Sequence, residues 1–194
     1  MKRLLTTIVF ACAGILASNA QTERGNVMWG TTVSNFNLDF QEGNTSFEMD
    51  ITPKIGYFIQ DGLALGPELL IGLNTTSGST TFTYGVGGFG RYFLGPAPEI
   101  EVIRGTRWFV EANAGINGTN VSTDGQESTN TNGLGIGFGP GLSYFLTDRI
   151  ALEGLLKYNL TVGFGSSTTS NRLGLGIGFQ IYLPGRELAK KANE

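Results

Sequence analysis

The chain has 194 residues, with 13 basic and 16 acidic side chains, one cysteine and no histidine. Without histidine there is no usual general base, no imidazole metal ligand and no Ser/His or Cys/His nucleophile pair. The acidic balance supplies no basic patch for nucleic acid.

The chain opens with the three parts of a secretory signal, assigned to residues 1–20. Lys2 and Arg3 carry the charge, residues 4–16 are apolar, and Ala17-Ser18-Asn19-Ala20 offers small residues for cleavage before Gln21. The apolar run is shorter than the roughly 20 residues of a spanning helix. Cys12 lies inside that run, and Phe10 together with the apolar stretch after Cys12 argues against lipoprotein processing. Cleavage would remove Lys2, Arg3 and Cys12, leaving 11 basic against 16 acidic groups and a net charge of −5. The mature chain would then hold no disulfide and no thiolate metal site, and its length of about 174 residues suits one domain, here residues 21–183.

From there the chain alternates with period two in eight segments, 26–40, 46–59, 63–75, 81–94, 107–120, 132–147, 150–165 and 171–183. A helix does not keep that period. In the last segment Leu173, Leu175, Ile177, Phe179, Ile181 and Leu183 alternate with Gly174, Gly176, Gly178, Gln180 and Tyr182. The first segment is least regular, because Val27 to Phe40 changes phase near its middle. Many segments exceed the usual 5–6 residues and suit the roughly 9–11 of a tilted membrane strand.

The connections are expected to divide by rim. Short turns follow the second and sixth segments, around Gln60-Asp61-Gly62 and Thr147-Asp148-Arg149. A longer one, Gly95 to Thr106, follows the fourth. The others read as polar loops: Gln41 to Thr45, Ser77-Gly78-Ser79, Val121 to Thr131 and Ser166 to Ser170. An up-and-down barrel predicts tight turns at one rim and polar loops at the other, with both termini on the turn side. Tyr57-Phe58-Ile59-Gln60-Asp61 returns as Tyr144-Phe145-Leu146-Thr147-Asp148, and in part as Arg91-Tyr92-Phe93-Leu94-Gly95. These phrases, with Trp29, Trp108, Phe109 and Tyr182, put aromatics at the turn-side rim. Phe47, Phe82, Tyr84 and Phe164 fall toward the loops. Two belts around an aliphatic band predict a bilayer-embedded barrel.

If the aliphatic set faces lipid, the interior receives Glu48, Asp50, Lys54, Glu68, Arg91, Arg107, Glu111, Glu153 and Lys157, with Asn113, Asn117 and Asn159. Charges of both signs can pair there, and glycine leaves them room. Glu48 and Asp50 share a face, where Lys54 makes ion pairing the better reading than acid–base work. Eight strands predict an interior nearly filled by side chains, hence a plugged or narrow lumen. The glycine runs at 85–88 and 135–139 lie within strands, with no following helix, so they predict packing rather than phosphate binding. Asp124-Gly125 has too few carboxylates nearby for calcium. No cofactor and no metal are expected.

The fold class expected is therefore all-β, an eight-stranded antiparallel up-and-down transmembrane β-barrel. With Pro53 to Gly66 as its strand–turn–strand phrase, a signal sequence before it and Leu173 to Leu183 as the closing strand, the chain resembles the small OmpX/OmpA-like barrels of Gram-negative outer membranes. It is most similar to the "outer membrane protein beta-barrel domain" family of Bacteroidetes-type, porin-like proteins. The resemblance covers about Gly25 to Leu183. It implies a monomer in outer-membrane lipid, inserted by the barrel-assembly machinery, with both termini periplasmic. Such barrels often end on an aromatic residue, whereas here residues 184–194 follow as a short periplasmic tail. The functional expectation is a non-enzymatic barrel with a structural or surface-interaction role, its surface partner unspecified by the sequence. The alternatives are a porin-like small-solute channel and a soluble lipocalin-like ligand barrel, which would need the opposite phase. An embedded enzyme ranks last, because known barrel enzymes generally use a histidine.

Overall fold

The computed structural model describes residues 20–41, 44–94, 105–147, 149–164 and 169–185. Residues 1–19 of the expected signal sequence, the 186–194 tail, residues 42–43, most of the connection after Leu94, Asp148 and residues 165–168 lie outside these. Eight strands run in chain order: β1 (Val27–Gln41), β2 (Asn44–Gln60), β3 (Leu63–Thr76), β4 (Ser79–Phe93), β5 (Thr106–Thr123), β6 (Thr129–Thr147), β7 (Ile150–Gly163) and β8 (Thr169–Leu183). Each pairs antiparallel with its sequence neighbour, and β1 pairs with β8, closing the barrel. Closure leaves no full-length sheet edge, the condition for a sheet to stand in hydrocarbon.

The strands are staggered. Direct partners traced from Val27 run through Tyr57, Leu65, Gly90, Ala112, Phe138 and Tyr158 to Leu173, whereas Val27 itself faces Leu183. That displacement is the shear that tilts strands about the barrel axis. The phase change read in β1 is a bulge between Ser34 and Asn37, with Asn35 in the left-handed region at φ 54°. Asparagine tolerates that region better than most residues. The bulge swings Phe36, Leu38 and Phe40 outward after Trp29 and the half-buried Val33. Pro53 and Pro140 leave gaps in the β2–β3 and β6–β7 ladders, because proline has no N–H to donate.

The outer face carries Leu65, Leu69, Ile71, Leu73, Val86, Val110, Ile116, Leu134, Ile136, Leu152, Leu156, Leu173, Leu175 and Ile177, all exposed. A water-soluble barrel would bury them.

Two expectations are corrected. The rims do not divide into turns and loops. β3 and β4 are joined through Ser77-Gly78 alone, and the longest connection, between Phe93 and Thr106, is on the turn side. The Thr/Asn/Ser stretches read as loops continue as paired strand: Val121 pairs with Thr129, and Asn130 and Thr131 pair with Asn120 and Thr119 of the strand before them. β5 and β6, of 18 and 19 residues, stand well beyond the apolar band, so their loop-side ends are wet on both faces and carry no apolar alternation. Nor do all the rim aromatics form a belt. Successive side chains on a strand point to opposite faces. Tyr57, Tyr92 and Trp108 therefore face out while their neighbours Phe58, Phe93 and Phe109 face in.

Candidate functional site

The interior falls into three levels. At the turn-side end, Phe58, Phe93, Phe109, Phe145 and Tyr182 converge from five strands and are buried, with Met28, Ala64 and Ala151 among them. Phe93 lies 5.6 Å from Phe109, 6.2 Å from Phe58 and 6.4 Å from Tyr182 by ring centroids, and Phe145 lies 5.4 Å from Tyr182. The rings meet across the lumen because glycine opposes them. A Cβ on Gly141 would collide with the Phe109 ring. The segment before β1 closes over this end. Gly62 N–H donates to the Thr22 carbonyl at 2.7 Å, Arg24 N–H to the Asp61 carboxylate at 2.8 Å, and Gly25 N–H to the Phe58 carbonyl at 2.8 Å.

A charge network rests on the rings. Arg91, fully buried, donates to Glu153 at 2.7 and 2.8 Å and to Glu111 at 2.7 and 3.0 Å. Its guanidinium lies 4.0 Å from the Phe109 ring centre. Lys54 donates to Glu111 at 2.6 Å and lies 3.7 Å from Glu68. Ser143 and Tyr182 both donate to Glu153, at 2.7 and 3.0 Å. Each buried carboxylate thus meets a cation or several hydroxyls, which is what makes its removal from water tolerable.

Above the network a cavity of about 380 Å³ opens toward the opposite rim. Thr52, Asn113, Asn117, Asn159 and Lys157 line its walls. Lys157 sits at the floor, 3.4 Å from Glu111 and 3.9 Å from Glu68. Asn113 donates to Glu68 at 2.6 Å.

The nine charged residues singled out from the sequence occupy different levels. Lys54, Glu68, Arg91, Glu111, Glu153 and Lys157 form the central network. Arg107 stands apart at the turn-side end, bonded to the Thr22 hydroxyl and 5.1 Å from the Phe93 ring. Glu48 and Asp50 do not pair with Lys54. Their cation is Arg172 of β8, 3.0 Å from Glu48 and 3.7 Å from Asp50. Sequence reasoning missed Arg172, although it shares the phase of Gly174, Gly176 and Tyr182. It also placed Phe58, Phe93, Phe109, Phe145 and Tyr182 by height alone and not by face. Among the described residues, no group of three or more His, Cys, Asp or Glu side chains is arranged to hold a metal.

A closed antiparallel barrel with an aliphatic exterior and an ion-paired interior defines a transmembrane outer-membrane barrel. The chain belongs to the outer membrane protein beta-barrel domain family, whose model matches residues 6–186. Its fold is similar to that of Neisserial surface protein A (NspA), with a TM-score of 0.56 and 15% identity over 82% of this chain and 97% of that one. It is also similar to the N-terminal β-barrel domain of OprF from Pseudomonas aeruginosa, with a TM-score of 0.51 and 19% identity over 81% and 98% of the two chains. Comparison with curated proteins gives no match.

Proposed function

We propose that this protein is a non-enzymatic integral barrel of the Gram-negative outer membrane, closed at its turn-side end, with a structural or surface-interaction role. The observation that carries this reading is the five-ring cluster backed by the Arg91 network. Together they fill the cross-section of an eight-stranded barrel, whose interior is only about as wide as side chains can fill. Passage of a solute would require rings from five strands, and the paired charges that rest on them, to move together. The turn-side rim, with both termini, faces the periplasm in this reading. The polar strand ends and the cavity mouth face the cell exterior, where a partner would meet them. Outer-membrane lipid surrounds a monomer, and the barrel-assembly machinery inserts it.

Single-channel recording on protein reconstituted in planar bilayers tests the closed lumen. The expected trace stays at the baseline of protein-free membrane. Steady conductance from the unmodified chain would establish the porin-like alternative instead.

A further inference from the structure

The barrel wall is incomplete along one seam. The β1–β8 ladder runs from Val27↔Leu183 to Ser34↔Gly176 and ends there. Both strands continue. β1 stays paired with β2 to Gln41↔Asn44, and β8 stays paired with β7 to Val162↔Thr169. Among these described residues the two edges, 35–41 and 169–175, pair on one side only. By contrast, β4 and β5 are laddered from Phe93↔Phe109 to Ser79↔Thr123.

The Asn35 bulge stands at the fork. Its amide donates to Asp50 at 2.6 Å, and a Cβ on Gly174 would lie 3.1 Å from its oxygen. From the other side Arg172 reaches past β1 to Glu48 and Asp50 on β2. These side chains latch the seam from within. The latch is weak, because Arg172 is 53% exposed and exposed ion pairs contribute little. Outside, the seam is flanked by Phe36 and Leu38 on β1 and by Leu173 and Leu175 on β8, all exposed. Inside, it borders the cavity, whose lining includes Asn35 of one edge and Ser170, Arg172 and Gly174 of the other.

Unpaired backbone groups are not tolerated against hydrocarbon unless a polar partner meets them. An amphiphile straddling the seam meets both needs: its head lies among polar groups inside, and its chains lie on the apolar flanks outside. The charge of the head follows from Lys157. That residue is the direct β7 partner of Gly174, one strand in from the seam. Its ammonium donates to Glu111 at 3.4 Å and lies 3.9 Å from Glu68, both longer than the 2.6 Å bond of Lys54 to Glu111, and it gathers with Asn113 and Asn159 over Gly137. We propose that the β1–β8 seam is a lateral entrance through which the cavity takes the anionic headgroup of a lipid from the surrounding leaflet, with Lys157 as its cation. This inference needs the barrel in a bilayer but not a closed turn-side end, so conductance and the present test fail independently.

The test uses vesicles containing phosphatidylglycerol with a photoactivatable group on its head, and a Cys12→Ser chain carrying Phe36→Cys and Leu173→Cys. A short bifunctional thiol reagent bridges the seam after folding. Labelled residues are located by mass spectrometry. Headgroup adducts are expected on lumen-facing residues around Lys157 and Asn159 in the unbridged protein, and are expected to disappear on bridging. Lys157→Gln, checked as folded by heat-shift electrophoresis, is expected to reduce them about tenfold, the loss of one charge-assisted contact. Adducts confined to outward-facing residues would overturn the proposal. So would interior labelling that survives bridging or is competed by soluble glycerol phosphate, since the ligand would then enter by the mouth. A second copy of the chain captured across the seam would assign the open edges to dimerisation and also refute it.

Discussion

Replacing Arg91 with methionine removes a cation that holds two buried carboxylates. Arg91 makes four hydrogen bonds, two to Glu153 and two to Glu111. Glu111 keeps Lys54 at 2.6 Å, but among the described residues Glu153 keeps only the hydroxyls of Ser143 and Tyr182. Breaking a buried pair from one side costs roughly 3–5 kcal/mol, because the surviving charge is left without its counterion. The stacking of the guanidinium on Phe109 adds about 1 kcal/mol to the loss. Equilibrium urea unfolding from lipid vesicles, followed by tryptophan fluorescence and by heat-shift electrophoresis, measures the difference. The second variant, Arg91→Met with Glu153→Gln, removes the orphaned charge, while its carboxamide oxygen still accepts from Ser143 and Tyr182. It is expected to recover most of the loss. A single-variant cost below about 1 kcal/mol, or a double variant no more stable than the single one, would refute the reasoning.

Three further outcomes follow from the same geometry. Phe93→Ala with Phe109→Ala empties the centre of the ring cluster. It is expected to cost about 3–5 kcal/mol per ring and to give conductance that the parent lacks in planar bilayers. Gly87 and Gly115 are directly opposed, and a Cβ on either would come within 2.8 Å of the other's Cα. Gly87→Ala is therefore expected to lose about 1–3 kcal/mol by the same unfolding assay, against no loss for alanine at Gly154, where a Cβ meets open space. Trp29 and Trp108 are exposed on the outer face at the turn-side rim, so lipids brominated near the headgroup are expected to quench them more than lipids brominated near the chain ends.

The period-two alternation made the strands legible, because each residue in mid-membrane meets either hydrocarbon or the interior. Segment order and antiparallel pairing followed from eight such runs with short connections. The strand ends were illegible for the opposite reason. Thr129, Asn130 and Thr131 meet water on both faces, so nothing in their order distinguishes strand from loop. The aromatic pairs signalled the rim but not the face. Phe58 and Tyr57 are adjacent and equally hydrophobic, and only the phase carried down from Lys54 assigns Phe58 to the interior. The same phase, extended up β8, would have found Arg172. The pairing of Arg172 with Glu48 and Asp50 could not be read, because it spans β1 and depends on the bulge at Asn35. That bulge was visible only as an irregular first segment, and the seam it opens follows from the closing register, which has no local sequence signature.

The central claim is that the aliphatic face of this barrel meets lipid. Membrane fractionation combined with heat-shift electrophoresis tests it most directly. The account predicts a protein that stays with the outer membrane through alkaline carbonate extraction and migrates differently before and after boiling. A protein released to the soluble periplasmic fraction, with one mobility whether or not it is heated, would contradict it.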